Sequence, residues 1–383
     1  MYLFLITFLL LYGGMHLYAF YKLRELFRPR PGRSWPLILW MMVMTVVPLL
    51  VRAAEQLDME QTALYIAWPG YIWMGFLFIF SSLLFCTDLI RALYRALKYP
   101  FSSLVPTVVS QKNGYRCAFA LSLAASVYAV TEAGEIRSEH VTVTTTKLRP
   151  SISRVRVVQV SDMHIGLLSQ ERRQKRVLDI IAEARPDILV STGDLVDGKL
   201  NRIYGISEHK GLAALLASVP APAGKFAVLG NHEVYAGIPQ SVAFSSAAGF
   251  TVLRNRSITL ENGLTITGVD DPAVNQRTRV EPFNEIALLA AAPPDSFQLL
   301  LKHRPEVPRE SDGRFDLQLS GHVHNGQIFP FNFLVRLKYP IPCGTSKTKQ
   351  GSRIHVSRGT GTWGPPMRLF APPEVTIIDI VPN

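Results

Sequence analysis

Five times between residues 155 and 324 the chain runs through a stretch of apolar, largely β-branched residues and then directly into a polar loop. The loops read Asp162-Met163-His164, Gly193-Asp194-Leu195-Val196-Asp197, Gly230-Asn231-His232-Glu233, His303, and Gly321-His322-Val323-His324. Strands that are apolar at successive positions are buried on both faces, as in parallel sheets. Sheets of that kind collect their functional groups in the loops at the strand ends. The sequence is thereby constrained to an α/β fold with its chemistry gathered along one rim. Residues 155–160, 187–191, 225–229, 264–269, 297–301 and 315–319 read as strands, and residues 353–357 and 375–380 as strands closing a second sheet. Residues 170–184 carry helical spacing, with Val177, Ile180 and Ile181 on one side. Further helical intervals fall near 208–217 and 282–290, and residues 141–148 read as an entry strand or a linker.

Composition changes near residue 135. A prior of roughly 150 residues per domain gives two or three domains for 383 residues. Residues 2–21, 36–51, 64–89 and 115–130 approach the run of about 20 apolar residues that a spanning helix needs. The second run is short and contains Pro48, and the fourth is rich in Ala and Ser. The first lacks a basic region ahead of it and a small-residue cleavage site, so it reads as a retained anchor. The expected organisation is a membrane anchor of about four transmembrane helices (1–134), a linker or entry strand (135–152) and a soluble domain (153–383).

Charge suggests an orientation. Lys22, Arg24, Arg28, Arg30 and Arg33 follow the first run, and Arg91, Arg95, Lys98, Lys112 and Arg116 separate the third from the fourth. Glu55, Asp58 and Glu60 lie in the intervening loop, beside Arg52. Basic loops stay cytoplasmic, which puts the soluble domain outside the cell membrane if all four runs span it; losing one span reverses the side. No charged residue sits deep in the runs, apart from His16 and Asp88 near their ends, so no substrate pathway is read through the anchor. The net charge of +11 points to an anionic membrane surface or a phosphorylated substrate. No basic-aromatic module for nucleic acid is present, and no nucleic-acid partner is expected. Cys86, Cys117 and Cys343 form neither a disulfide framework nor a zinc site. Oligomeric state is not legible.

The loops together offer Asp162, His164, Asp194, Asn231, His303, His322 and His324: carboxylates, imidazoles and an amide oxygen. Two divalent cations about 3.5–4 Å apart neutralise a phosphate ester and ionise a water near neutral pH. Holding them needs one carboxylate shared between them and a mixed nitrogen and oxygen shell, a shell that does not choose among Mn, Fe and Zn.

Ser161-Asp162-Met163-His164, Gly193-Asp194-Leu195-Val196-Asp197-Gly198, Leu319-Ser320-Gly321-His322-Val323-His324-Asn325-Gly326-Gln327 and the terminal Arg358-Gly359 and Pro372-Pro373-Glu374 resemble the calcineurin-like metallophosphoesterase superfamily. More narrowly they resemble its membrane-associated bacterial branch, typified by YkuE and YaeI. The resemblance covers roughly residues 150–380. It implies a four-layer α/β/β/α sandwich, here preceded by an α-helical transmembrane region. It implies one metal on Asp162, His164 and His324, a second on Asn231, His303 and His322, and Asp194 bridging them. It gives His232 the catalytic place at the scissile phosphate, and hydrolysis of a phosphoester or pyrophosphate bond by metal-bound hydroxide. Asn325 departs from the glycine common in the branch. The rival reading is a non-catalytic membrane scaffold or sensor that keeps the fold.

Other residues carry less. Asp197 reads as a turn residue or a support for the ligands, and Asp270-Asp271 as a structural turn. Glu233 orients His232 or is a solvated acid. Arg358 and Arg368 contact phosphate or pair with acids. His16, His140, His209 and His355 read as ordinary residues. Residues 328–349 mix Phe329, Phe331, Phe333, Leu334 and Leu337 with Arg336, Lys338, Lys347 and Lys349. They form either a surface resting on lipid, consistent with membrane lipids as partners and a phosphorylated small-molecule or lipid substrate, or a core segment with a basic edge.

Overall fold

The structure, a computed structural model, describes residues 2–27, 34–98, 111–168, 171–198, 205–279 and 283–383. Arg28, Arg30, Arg33, Gln170 and Pro282 lie outside these residues, as do the side chains of Lys98, Glu208 and His209. The chain divides into a helical unit, Met1–Thr131 with Gly364–Leu369, and an α/β unit, Glu132–Trp363 with Phe370–Asn383.

The helical unit holds α1 (Tyr2–Phe27), α2 (Trp35–Gln56), α3 (Glu60–Lys98) and α4 (Gln111–Glu132), one on each apolar run. Among the described residues, α2 and the part of α3 spanning Glu60–Ala96 are long and apolar enough to cross a membrane. Tyr12, Leu23, Met41, Leu77, Phe80, Leu84 and Tyr115 form its core. Asp88 receives hydrogen bonds from Tyr18 (2.7 Å) and Tyr115 (2.9 Å) and pairs with Lys22 at 2.6 Å. His16 accepts from the Trp73 indole at 2.9 Å. Both interrupting polar residues thus have partners, as a polar group among apolar helices requires.

The α/β unit runs β1 (Arg137–Thr145), β2 (Val155–Val160), α5 (Glu171–Ala184), β3 (Ile188–Ser191), α6 (Gly205–Ser218), β4 (Lys225–Ala227), α7 (Asn231–Ala236), α8 (Ile238–Ala247), β5 (Thr251–Val252), β6 (Arg256–Thr259) and β7 (Leu264–Val269). It continues with α9 (Pro272–Thr278), α10 (Glu285–Ala290), β8 (Phe297–Lys302), β9 (Leu317–Ser320), a 3-10 turn (His324–Gly326), α11 (Phe331–Lys338), β10 (Gly344–Lys347), β11 (Arg353–Val356) and β12 (Glu374–Pro382). Two six-stranded sheets result, ordered β1-β12-β2-β3-β4-β5 and β10-β11-β9-β8-β7-β6. Val157, Ile188, Val190 and Phe226 of the first sheet meet Ile266, Leu299, Leu301 and Leu319 of the second in the central core. On the far side of the first sheet, Val158, Val160 and Leu189 bury Val177, Ile180 and Ile181 of α5, with Leu212 and Leu216 of α6 and Phe244 of α8. Leu289 of α10 packs on Val269 and Leu300, behind the second sheet. The layers are therefore helix, sheet, sheet, helix.

The strand over 375–380 lies in the first sheet, not the second. β12 runs antiparallel to β2, with Ile378 opposite Val157, and parallel to β1. Its side chains alternate between the two cores, Val375 and Ile377 toward the helices and Ile378 and Ile380 toward the other sheet. That doubly buried pattern suits a central position in either sheet, so the sequence alone does not choose between them.

Candidate metal centre

β2, β3 and β4 are neighbouring parallel strands of the first sheet, and β8 and β9 of the second. Their carboxyl ends release the loops carrying the candidate residues. Past β2 and β3 the chains stay paired, Asp162 N–H donating to Gly193 O (3.0 Å) and His164 N–H to Asp194 O (3.0 Å). Asp162, His164, Asp194, His322 and His324 all have φ between 48 and 72°. A non-glycine residue at positive φ is uncommon, and clustering of such backbone marks functional sites.

Among the described residues three triads form, each with its candidate ligand atoms within 4.8 Å of one another: first Asp162, His164 and His324, second Asp194, His303 and His322, and third His164, Asp197 and His232, which shares His164 with the first. In the first, His164 Nε2 faces His324 Nε2 at 3.1 Å, and His324 Nε2 lies 3.3 Å from Asp162 Oδ1. In the second, His303 Nε2 stands 3.1 Å from both Asp194 Oδ2 and His322 Nδ1. His303 Nδ1 lies 2.8 Å from the Thr192 carbonyl. A carbonyl only accepts, so Nδ1 donates to it and Nε2 is the ring atom turned toward Asp194 and His322. Imidazole nitrogens and carboxylate oxygens thus converge in both of these triads, the donor types that hold a metal cation. Asn231 is buried beside them on the first turn of α7, and its Oδ1 has no hydrogen-bond partner. The donor set fits divalent metal ions.

The surrounding contacts fix these groups. Asp162 accepts the Ser161 hydroxyl (2.5 Å) and the His322 backbone N–H (3.0 Å). Burial works against its charge, but His324 and His303 hold the carboxyl below its usual range. Asp194 is buried likewise and held low by His303 and His232. Burial and the neighbouring His303 push the His322 imidazole down to about 3, which keeps it neutral. His232 donates its backbone N–H to Asp194 Oδ1 at 2.8 Å, and its Nδ1 sits 2.9 Å from Asp197 Oδ1. Burial would lower His232, but Asp197 and Asp194 push it up to about 9. Its ring stands edge-on to His164, with centroids 4.7 Å apart.

Glu233 neither orients the His232 ring nor meets solvent. It is buried, and its carboxylate accepts N–H bonds from Gly230 (2.7 Å), Asp194 (2.9 Å) and Val196 (3.0 Å), tying two of the candidate loops together. Glycine is required where these loops touch: a Cβ on Gly230 would lie 2.2 Å from Asp194 Oδ1, and one on Gly321 2.1 Å from Asp162 Oδ2.

Asp270 pairs with Arg254, and Asp271 caps α9 and pairs with Arg304, so both are structural. Arg358 binds Glu374 (2.5 Å) and Glu139 (3.0 Å). Arg368 is buried in the segment grouped with the helical unit. His355 is buried, its Nδ1 2.8 Å from Thr345 Oγ1. The sequence reading missed Trp363. Its ring lies 5.9 Å from that of His232, and its backbone is pinned at both N and O by Gln327. The Gly-rich run around Trp363 was the available signal.

An α/β unit of two stacked sheets with imidazole-carboxylate triads at its strand ends defines a metal-dependent phosphoester hydrolase. The family model described as calcineurin-like phosphoesterase matches residues 155–326. An uncharacterized metallophosphoesterase of Aquifex aeolicus is 40% identical over 247 residues, 64% of this chain and 92% of that protein. The uncharacterized metallophosphoesterase YkuE of Bacillus subtilis is 32% identical over 59% of this chain and 78% of its own length. A zebrafish (Danio rerio) transmembrane protein with metallophosphoesterase domain is 28% identical over 61% of this chain and 54% of its own length. This chain belongs to the calcineurin-like metallophosphoesterase family.

Proposed function

We propose that the chain is a membrane-anchored dinuclear phosphoesterase. Asp162, His164 and His324 hold one divalent cation, Asn231, His303 and His322 a second, and Asp194 is shared between them. The single observation that carries this reading is the convergence of imidazole nitrogens and carboxylate oxygens in two triads, with the unpartnered Asn231 oxygen on the adjoining loop. Manganese, iron and zinc all suit this shell. When bound, such ions supply Lewis acidity toward phosphoryl oxygen and lower the pKa of a water.

The chain's own residues do the rest. Asp197 accepts Nδ1–H of His232, which leaves Nε2 as the atom that stabilises the phosphoryl group or hands a proton to the leaving oxygen. The same carboxylate lies 3.5 Å from His164 Nδ1, so it steadies a metal ligand and the acid together. Glu233 keeps the Asp194 and Gly230–Asn231 loops in register.

Residues 1–134 are the proposed anchor, supported by two helices of spanning length and by relatives described as transmembrane. The basic loops favour a multi-pass arrangement with the catalytic unit outside, and the anchor favours a lipid-linked phosphorylated substrate. The full-length chain in detergent, loaded with Mn, should hydrolyse an aryl phosphate, and Asp194→Ala or His322→Ala should abolish that turnover. Retained metal-dependent activity in both variants would end the proposal. Protease accessibility on intact cells decides the side of the membrane.

A further inference from the structure

α11 is amphipathic with its apolar side facing outward. Taking 100° per residue, Phe333, Leu337 and Leu334 occupy one continuous arc of the helix. Their exposures are 57%, 83% and 58%. Arg336 borders that arc on one side and Lys338 on the other. The opposite side turns inward through Val335, which packs on Ile354, Val356 and Tyr339 of the core behind the second sheet. A helix that merely covered the sheet would point its Leu and Phe inward and its Arg and Lys outward.

The patch continues beyond the helix. The Phe329 ring lies 5.5 Å from Phe333 and 5.8 Å from Phe370, and Phe370 is 64% exposed. Phe370 stands at φ 56°, a left-handed backbone that a bulky residue adopts only at a cost. The stretch of chain that carries it is of one sign: no Asp or Glu occurs from residue 317 to residue 373, while Arg336, Lys338, Lys347 and Lys349 lie within it.

We infer that this face is an interfacial docking surface for a bilayer rich in anionic lipid. Apolar side chains bordered by cations match the layered chemistry of a membrane surface, with acyl chains below and phosphates above. Two helices apolar enough to cross a membrane belong to the same chain, which raises the local concentration of lipid for even a weak patch. The 3-10 turn that carries His324 leads into Phe329 and α11, so docking fixes the approach to the metal centre.

The test uses the full-length chain with Cys86, Cys117 and Cys343 replaced by Ser. A nitroxide is placed at Leu337→Cys, at Leu334→Cys as a second position, or at Glu183→Cys as an exposed reference. The protein is reconstituted into vesicles of phosphatidylcholine with or without phosphatidylglycerol. Saturation EPR then compares collision with oxygen and with a water-soluble nickel chelate, and aryl phosphate hydrolysis checks that each variant is folded. In phosphatidylglycerol vesicles the Leu337 and Leu334 labels should favour oxygen and lie roughly 5–10 Å within the interface. The Glu183 label should remain open to nickel. Replacing Arg336 and Lys338 by Gln should cut the docked-to-free ratio roughly thirtyfold, the factor equivalent to about 1 kcal/mol for each cation. Labels at 337 and 334 as open to nickel as that at 183 would overturn the inference. Labels shielded from both reagents would overturn it too, because a second copy of the chain would then cover the face.

Discussion

Glu233 gives the sharpest link between local geometry and the behaviour of the whole site. Its carboxylate is buried and accepts three backbone N–H bonds, two on Oε2 from Asp194 and Gly230 and one on Oε1 from Val196. Glu233→Gln preserves shape but replaces one oxygen by a donor. With the amide turned so that its oxygen serves Asp194 and Gly230, its NH2 meets the Val196 N–H, and one buried donor is left unsatisfied. That loss costs about 1–3 kcal/mol, and the two surviving bonds weaken because their acceptor is now neutral. The sum is about 3 kcal/mol. At roughly 2–4 °C per kcal/mol for a unit of this size, the melting temperature should fall by roughly 6–12 °C. Glu233→Ala should fall further, because all three amides lose their acceptor. Thermal unfolding of the full chain in detergent measures both, with Glu183→Gln as an exposed control. Because the same amides hold the Asp194 and Gly230–Asn231 loops, metal-dependent hydrolysis should weaken in parallel. A Gln variant that melts with the wild type and keeps full activity would refute this role.

Other expectations follow from separate contacts. Gly321→Ala drives a methyl into Ser161 Oγ and Asp162 Oδ2, at 1.9 and 2.1 Å, so hydrolysis should fall by at least about tenfold, the equivalent of roughly 1.4 kcal/mol; wild-type turnover would contradict it. Asp197→Asn removes the charge that fixes His232 Nδ1, and kcat for an aryl phosphate, measured at saturating metal, should drop by roughly 10²–10⁴. Arg156 grips Asp379 through two bonds of 2.7 and 2.8 Å, and those bonds hold the carboxyl below its usual value despite partial burial. A depressed carboxyl stabilises the fold above its unfolded pKa of about 3.9, and that contribution disappears as pH falls through the folded value. Asp379→Asn should therefore cost roughly 1 kcal/mol near pH 7, discounted for partial exposure. Its melting difference from the wild type should shrink below about pH 4; a constant difference would refute the pairing.

Much of the candidate site is legible in sequence because the residues that could hold a metal lie at the ends of strands, in loops next to apolar runs. β2 and β7 keep the expected limits of 155–160 and 264–269 because Val, Ile, Leu and Thr dominate both strands. What escapes is non-local. The place of β12 depends on its partners across the sheet, and its alternation fits both sheets. Glu233 acts on backbone amides, which leave no trace in residue identity. Trp363 reaches His232 from the far end of the chain through a hydrogen-bonded pairing with Gln327. The mixture of Phe, Leu, Arg and Lys in residues 328–349 is compatible with a core segment or a surface, and only the exposure of Leu337 and Phe333 separates the two.

Metal content bears most directly on the central claim. Full-length protein stripped by chelator, reloaded with manganese and desalted should retain close to two ions per chain by elemental analysis. Asp194→Ala, which removes the shared carboxylate, should retain fewer than one. A wild-type chain that holds no metal after reloading, or an Asp194→Ala chain that holds as much as the wild type, would contradict the account.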